Sequence, residues 1–469
     1  MTTFDTPRAA QKTQARSSGA VPQEVLATEA EYQVVPGVLR TEVPADFGTK
    51  DLPRERYLSA DYHRLEVERM WSKVWQMACR EEDIPNVGDA LNYEIVDESI
   101  IVVRTGPDQF KGYVNSCLHR GTQLIRGKSS QNSFVCPFHG WSWNLDGSMK
   151  NLPCAWDFPQ LDKAKLNLPE VKVDTWDGWV FINLHPESSS LDEYLGEILP
   201  AHFREMPLKT RFKAAHVQAR VPANWKATME AFIESYHVFI THPQIVNFTG
   251  DHNTQYDVFD RHSNRMITLI AVPSPSLGDS VDEQEVVDSF AEFLQTEAPD
   301  IPEGKTARDV AGEIHKETFQ QIYGVDMSKM SNTELIDAIE YALFPNFIPW
   351  AGDGFPIVYR FRPDGDNHMS CIVDVMLMGM CPEGIDPPTA EIHWLDPAPG
   401  SDSPDWTQAP ELGALGPILN QDMGNLSRVQ RGLRASKKDV TFSAYQESRI
   451  RHFAHILDRY LADGSEGEA

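Results

Sequence analysis

Two short signatures constrain this chain more than anything else in it: Cys117-Leu118-His119 and, sixteen residues later, Cys136-Pro137-Phe138-His139. Each puts one thiolate and one imidazole on a short loop. Paired loops of this kind suit a [2Fe–2S] centre in which two thiolates hold one iron and two imidazoles hold the other. The rival is tetrahedral zinc, which two Cys and two His also satisfy. Zinc fingers usually draw a Cys pair from one loop and a His pair from the other, whereas here each half is mixed. Both halves are dressed alike, Cys-x-His by Arg120-Gly121 and Cys-x-x-His by Gly140-Trp141. Glycine lets the backbone turn tightly around an inorganic core, and tryptophan can screen one side of it from water.

At 469 residues and 41% hydrophobic content, the chain can build two cores. Its formal net charge of −27 argues against nucleic acid and anionic membrane surfaces, both of which reward a basic face. Beyond the two signatures, Cys79, Cys154, Cys371 and Cys381 have no framework spacing, so a reducing cytoplasm is expected. Residues 1 to about 23 lack the apolar run of a signal peptide. The apolar stretch Cys371 to Cys381 is interrupted by Asp374 and is too short to span a bilayer, so no membrane segment is expected.

Ser59 to Val74 reads as an amphipathic helix behind a Ser59 cap. From Leu91 to about His185 the pattern becomes β-rich, as in Ile100-Ile101-Val102-Val103 and Trp179-Val180-Phe181-Ile182. Phe212 to Val221 reads as a strand stopped by Pro222. Asn224 then caps a helix with the stripe Trp225, Met229, Phe232, Tyr236 and Ile240. Glu283 to Tyr341 reads as a largely helical insertion over a site. Strands return at Ile357 to Phe361 and Ser370 to Met380, and a long helical region starts at Pro417. No repeat, dinucleotide-binding fingerprint or plant-type ferredoxin cysteine run occurs.

A second metal site is suggested by His237 and His242. Five helical residues turn about 500°, leaving these side chains about 140° apart, so they share an ion only if the helix opens between them. Pro243 supplies the reason, because a residue before proline avoids the α region. Asp422 lies beside a late helical stripe of Leu419, Met423, Leu426, Val429 or Gln430, and Leu433. A carboxylate on the core side of a helix needs a partner. Arg428 or Arg431 could serve, and so could a metal.

These motifs, with Asn224-Trp225-Lys226 ahead of Glu234-x-x-His237-x4-His242-Pro243 and Gln421-Asp422 ahead of Val429-Gln430-Arg431-Gly432-Leu433, resemble the large (alpha) subunit of the Rieske non-haem iron oxygenases over residues 55 to 455. The resemblance implies an α+β chain: an all-β Rieske domain, and a catalytic domain whose antiparallel sheet wraps a long C-terminal helix (helix-grip, START-like). The boundaries expected are a disordered tail over 1–45, the Rieske domain with its leading helix over 46–190, the catalytic domain over 191–460 and an acidic tail over 461–469. Cys117, His119, Cys136 and His139 would hold the cluster. His237, His242 and Asp422 would form a 2-His-1-carboxylate triad on Fe(II). Glu234, where many members have Asp, would link His237 to His139 of the next subunit in a head-to-tail trimer, alone or with a small beta subunit. The interval from His242 to Asp422 is longer than is typical of the family.

Electrons would come from a ferredoxin or flavin reductase, with NAD(P)H used only indirectly through that partner, and Arg120, Arg126, Lys128 and Lys150 are candidates for the docking patch. The reaction expected is O₂-dependent hydroxylation, foremost dihydroxylation, of an apolar aromatic or polycyclic substrate. The alternative is monooxygenation or N-/O-demethylation, as in the branch resembling choline and carnitine monooxygenases. A pure electron carrier and a structural zinc protein are readings from other classes. Phe232, Phe239, Phe344, Phe347, Trp350 and Met376 fit ordinary core better than a greasy cavity.

Overall fold

A computed structural model describes residues 8–9, 17–204, 206–352, 356–380, 389–397 and 399–463. The chain divides into two compact units, Arg64–Tyr194 with Arg459–Ala469, and Met1–His63 with Leu195–Asp458. Among the described residues no helix is long and apolar enough to cross a membrane.

The first unit is built from β1 (Gln76–Arg80), β2 (Asp89–Ile95), β3 (Glu98–Gly106), β4 (Gln109–Val114), β5 (Lys128–Ser130), β6 (Phe134–Val135), β7 (Ser142–Trp143), β8 (Met149–Asn151), β9 (Glu170–Trp176) and β10 (Trp179–Asn183). They form an antiparallel sheet in the order β1-β10-β9-β4-β3-β2-β5 and a small one in the order β8-β7-β6. Ile101 and Val103 of β3 share a core with Tyr113, Phe134 and Trp143, and that core extends to Cys117 and Cys136. The β-branched runs therefore do two things at once: they knit the sheet and anchor the roots of both ligand loops.

The second unit is an eight-stranded sheet: β11 (Arg211–Val221), β12 (Gln255–Val258), β13 (Ser263–Thr268), β14 (Ala338–Leu343), β15 (Phe347–Ala351), β16 (Ile357–Asp364), β17 (Asn367–Met380) and β18 (His393–Leu395). Their order is β12-β13-β14-β15-β16-β17-β11-β18, antiparallel except for β11 with β18. The register sets Asp374 opposite both Arg360 and Gln218. Its buried carboxylate accepts from Arg360 Nη2 (2.9 Å), Gln218 Nε2 (2.7 Å) and His216 Nε2 (2.9 Å), so the charge that interrupts the apolar stretch is neutralised inside the sheet. The C-terminal helix packs on this sheet: Phe453 meets Phe344 at 4.8 Å between ring centroids, and Arg449 donates to Glu340 (2.8 Å).

Three expectations are corrected here. From residue 17 onward the tail expected to be disordered through residue 45 is ordered. It carries helix α1 (Pro22–Glu29), whose Glu29 accepts from Arg308 Nη2 (2.6 Å) and Thr333 Oγ1 (2.8 Å). Buried Arg308 needs carboxylates, and Glu29 and Asp337 supply them. Residues 46–63, expected with the Rieske domain, group with the catalytic unit, where Tyr57 donates to Glu230 (2.9 Å) and Leu52 pairs with Val440. The segment 283–341 is helical only in part. Ala338–Leu343 is β14, buried on both faces, as the run Ile339-Glu340-Tyr341 between two neighbouring strands requires. The acidic tail beyond Asp463 lies outside the described residues.

Candidate metal centres

In the first unit both ligand pairs sit on matched turns after β4 and β6. Cys117 N donates to Thr122 O (2.9 Å) and Gly121 N to Cys117 O (2.9 Å); Cys136 N donates to Trp141 O (2.8 Å) and Gly140 N to Cys136 O (3.0 Å). Gly121 (φ 78°) and Gly140 (φ 74°) turn the chain in the left-handed region that a side chain resists. The two thiols lie side by side and buried, with backbone N–H groups of His119 and Arg120 aimed at Cys117, and those of Phe138 and His139 at Cys136. N–H donors aimed at sulfur favour thiolate. The imidazoles of His119 and His139 lie 4.6 Å apart, and Trp141 stacks on His119 at 5.0 Å and 6°. His119 Nδ1 is buried without a hydrogen-bond partner among the described residues, which suits a metal ligand and costs stability otherwise. The donor set, two inner sulfurs and two outer imidazoles, fits a Rieske [2Fe–2S] cluster. His139 itself is exposed, as are Leu118 (37% exposed) and Phe138 (56% exposed). Of the expected basic patch, Arg120 lies over the Phe138 ring and Lys128 is tied to Asp83 (2.8 Å).

In the second unit the chain opens the helix that the apolar stripe suggested. Asn224 does cap it, accepting from Lys226 N (3.0 Å), but α2 spans only Trp225–Glu230, and after a turn α3 covers Val238–Thr241. Tyr236 and Ile240 are consequently exposed and leave the stripe. The cause is Glu234, whose Oε2 accepts from the backbone N of Tyr236 and of His237 (3.1 Å) and so starts a new turn. His237 begins that turn, and His242 lies just past its end at φ −121°, ψ 61°, outside the α region that a residue before proline avoids.

Four helices follow along the chain, α4 (Glu283–Phe293), α5 (Ala307–Tyr323), α6 (Leu415–Ala435) and α7 (Ser448–Asp463), and Asp422 reaches the same point from α6. Ligand atoms of His237, His242 and Asp422 lie within 4.8 Å of one another. Asp422 Oδ1 is 3.1 Å from His242 Nε2 and 3.5 Å from His237 Nε2, and the two Nε2 atoms are 3.3 Å apart. Of the partners open to Asp422, the imidazoles take it; Arg431 pairs instead with Asp402 (2.6 Å). Each imidazole is oriented from behind. Glu234 Oε1 meets His237 Nδ1 (2.5 Å), and Gln421 Oε1 meets His242 Nδ1 (2.8 Å), leaving both Nε2 atoms to face Asp422. The role of Gln421 escapes sequence reasoning, since its only sequence mark is adjacency to Asp422.

Electrostatics favour a cation at this point. Burial lowers the His237 pKa, but the carboxylates of Glu234 and Asp422 outweigh it and raise the value to about 10. Burial likewise raises Asp422, and hydrogen bonds from the two imidazoles reverse that and hold it below the usual range. A divalent metal can take the place of the bound proton and satisfy all three groups.

The centre opens on a cavity of about 140 Å³ whose walls include Phe232, Phe248, Met266, Phe293, Trp350 and Tyr359. No lysine or arginine lines it among the described residues. Of its hydroxyls, Ser235 Oγ bonds Thr268 Oγ1 (2.7 Å), which bonds Thr254 Oγ1 (2.8 Å), while Thr249 Oγ1 is buried without a hydrogen-bond partner among the described residues. Of the six greasy candidates named from sequence, only Phe232 and Trp350 line this space; Phe344 packs on Phe453, and Phe239 lies against His252.

Residues 209–463 match the family model of the ring hydroxylating alpha subunit (catalytic domain), and residues 74–162 that of the Rieske [2Fe-2S] domain. The carnitine monooxygenase oxygenase subunit of Escherichia coli (strain K12) is 30% identical over 197 residues, 41% of this chain and 52% of the relative. The anthranilate 1,2-dioxygenase large subunit of Acinetobacter baylyi is 30% identical over 218 residues, 44% of this chain and 45% of the relative. The chain thus spans about half the length of these curated relatives. A quaternary ammonium Rieske monooxygenase shares the fold at a TM-score of 0.62 and 17% identity, covering 94% of this chain and 100% of the other. Naphthalene 1,2-dioxygenase with indole bound in the active site does so at 0.60 and 16%, covering 90% and 94%.

Proposed function

This chain belongs to the ring hydroxylating alpha subunits, with a Rieske [2Fe–2S] domain ahead of a non-haem iron catalytic domain, and on that premise we propose that it is an oxygenase acting on small, uncharged, apolar substrates. One observation carries the proposal: His237, His242 and Asp422 converge at the wall of a mainly apolar cavity in which, among the described residues, no lysine or arginine stands ready for a carboxylated substrate. Cys117, Cys136, His119 and His139 hold the cluster, and His237, His242 and Asp422 hold Fe(II). When bound, the cluster passes single electrons and the iron activates O₂, which with two electrons and two protons yields either one hydroxyl group and water or a dihydrodiol.

The protein's own groups do the rest. Glu234 and Gln421 fix both imidazoles with Nε2 inward. Phe232, Trp350 and Tyr359 line the cavity and give an aromatic ring apolar surface to pack against. Aromatic hydroxylation, foremost dihydroxylation, is therefore the first reading. Monooxygenation or demethylation is favoured by a different observation, glutamate rather than aspartate at 234, and by the carnitine monooxygenase relatives. Turnover of aromatic and N-methyl or O-methyl probes under ¹⁸O₂, with a reconstituted ferredoxin and reductase, separates them: two labelled oxygens mean dihydroxylation, one means monooxygenation, and no labelled product from any probe removes the proposal.

Assembly is proposed as a ring of three in which His139 of one copy meets Glu234 of the next. Glu234 lines, besides the metal cavity, a surface pocket of about 170 Å³ with Tyr57, Val429 and Leu433. A carboxylate offers about four lone-pair sites. His237 Nδ1 and the backbone N atoms of Tyr236 and His237 occupy three, leaving one for a neighbour's imidazole N–H. In Glu234→Gln the amide must turn its NH₂ towards other donors on one side or the other. The expected result is that the cluster still accepts an electron from ferredoxin while its reoxidation, in a single turnover with substrate and O₂, slows roughly ten- to a hundredfold. Unchanged reoxidation would mean that Glu234 is no bridge.

A further inference from the structure

The helical segment after residue 282 ends at the metal cavity. Helix α4 is capped by Asp282, whose Oδ1 accepts from Glu285 N (2.9 Å), and it buries Val286, Val287, Phe290 and Ala291 on one stripe. That stripe packs with Val310 and Phe319 of α5 in a satellite core. The starts of the two helices are tied by Ala307 N donating to Glu283 Oε2 (2.5 Å), and α5 is held in turn by Arg308 between Glu29 and Asp337. At its far end α4 stops abruptly. Gln295 takes φ 56°, and Thr296 N folds back to Ala291 O (3.0 Å), so Phe293 stands on the last turn of a firmly held helix.

Phe293 is half-buried and lines the cavity. Phe248, a buried wall residue, contacts both Phe293 and Phe290 with ring centroids 5.6 Å apart in each case. The wall at this end is therefore backed by a packed helix. The cavity volume, about 140 Å³, is close to the roughly 150 Å³ of an apolar cavity that takes up benzene.

We propose that Phe293 is a specificity-determining residue, closing one end of the metal cavity so that α4 and α5 limit the enzyme to substrates of about one ring. The proposal rests on the reading of this cavity as the substrate site. It assigns a task to the helices between His242 and Asp422: they set a substrate's length while the triad sets where it reacts.

The test is binding, measured without turnover. Iron-loaded protein is titrated under anaerobic conditions with 4-fluorotoluene and with 1-fluoronaphthalene, each followed by ¹⁹F NMR. Wild-type protein should bind the one-ring probe and discriminate against the two-ring probe by at least about tenfold. Phe293→Ala should erase that ratio by gaining two-ring affinity, and Phe293→Leu, which keeps an apolar side chain on the helix, should fall between. Should Phe293→Ala fail to fold, the Leu variant decides alone. Equal binding of both probes by wild-type protein, an unchanged ratio in the folded variants, or no binding of either probe overturns the proposal. Discrimination by size with no labelled product under ¹⁸O₂ removes the oxygenase reading and leaves the size limit standing.

Discussion

Asp422→Ala should leave a red-brown protein with an intact cluster spectrum, about two-thirds of the wild-type iron, and no oxygenase turnover. The side chain lost is the sole carboxylate among three groups whose ligand atoms lie within 4.8 Å, and it faces both Nε2 atoms directly. Losing a partner behind a ligand already costs ten- to a hundredfold in metal affinity, and losing the ligand itself costs more. His237 and His242 remain held by Glu234 and Gln421, so the pocket stays formed while its hold on Fe(II) fails. Cys117→Ser is the mirror experiment: colour should vanish and the mononuclear iron remain. Metal analysis beside a visible spectrum reads both. A third iron still bound in Asp422→Ala would take the aspartate out of the triad.

Asp374→Asn should destabilise the catalytic unit by about 3–5 kcal/mol, because it removes a buried negative charge that faces the buried Arg360 guanidinium and the partly buried Arg362. Arg360 and Arg362 both pair with Asp374, at 2.9 and 3.4 Å, in the middle of the sheet. Burial would raise this carboxyl's pKa, but the two arginine charges and the His216 hydrogen bond overcome it and hold the value well below the usual range. A depressed carboxylate contributes stability that is complete above its unfolded pKa of about 3.9 and is lost as pH falls through the folded value. The gap between wild type and variant should therefore be full near neutrality and narrow only in acid below about pH 4. Thermal unfolding should show a fall of roughly 10 °C at neutral pH. A variant melting within a degree of wild type would mean that the sheet does not depend on this charge.

How much of this was legible beforehand differs from residue to residue. Cys117, His119, Cys136 and His139 declare themselves because all the ligands of each loop lie within four residues, where a turn's geometry is dictated by its own Gly and Cys. The departure from helical backbone at His242 is equally local, since a residue before proline avoids the α region. A β-rich first domain and a late amphipathic helix also follow from periodicity alone.

The helix predicted through Ile240 failed for a reason periodicity cannot register: α2 ends at Glu230, and Glu234 turns its carboxylate onto the backbone N–H groups of Tyr236 and His237 and starts a new turn. Sequence left Asp422 with Arg428, Arg431 or a metal as partners. Only the fold, bringing α6 against the turn that holds His237 and His242, made the choice, and it also set Gln421 behind His242. Likewise nothing in the sequence marks Glu29 as the partner of Arg308, or Phe293 as a cavity wall. What the chain alone determined are the local things, ligand spacing, turn chemistry and the pattern of strands and helices, because those depend on residues within reach of one another along the backbone. The tertiary structure decided which carboxylate neutralises which buried charge and which rings line the cavity, because these energies arise between residues on different elements, such as Glu29 with Arg308 and Asp422 with His242, that meet only once the sheet has closed.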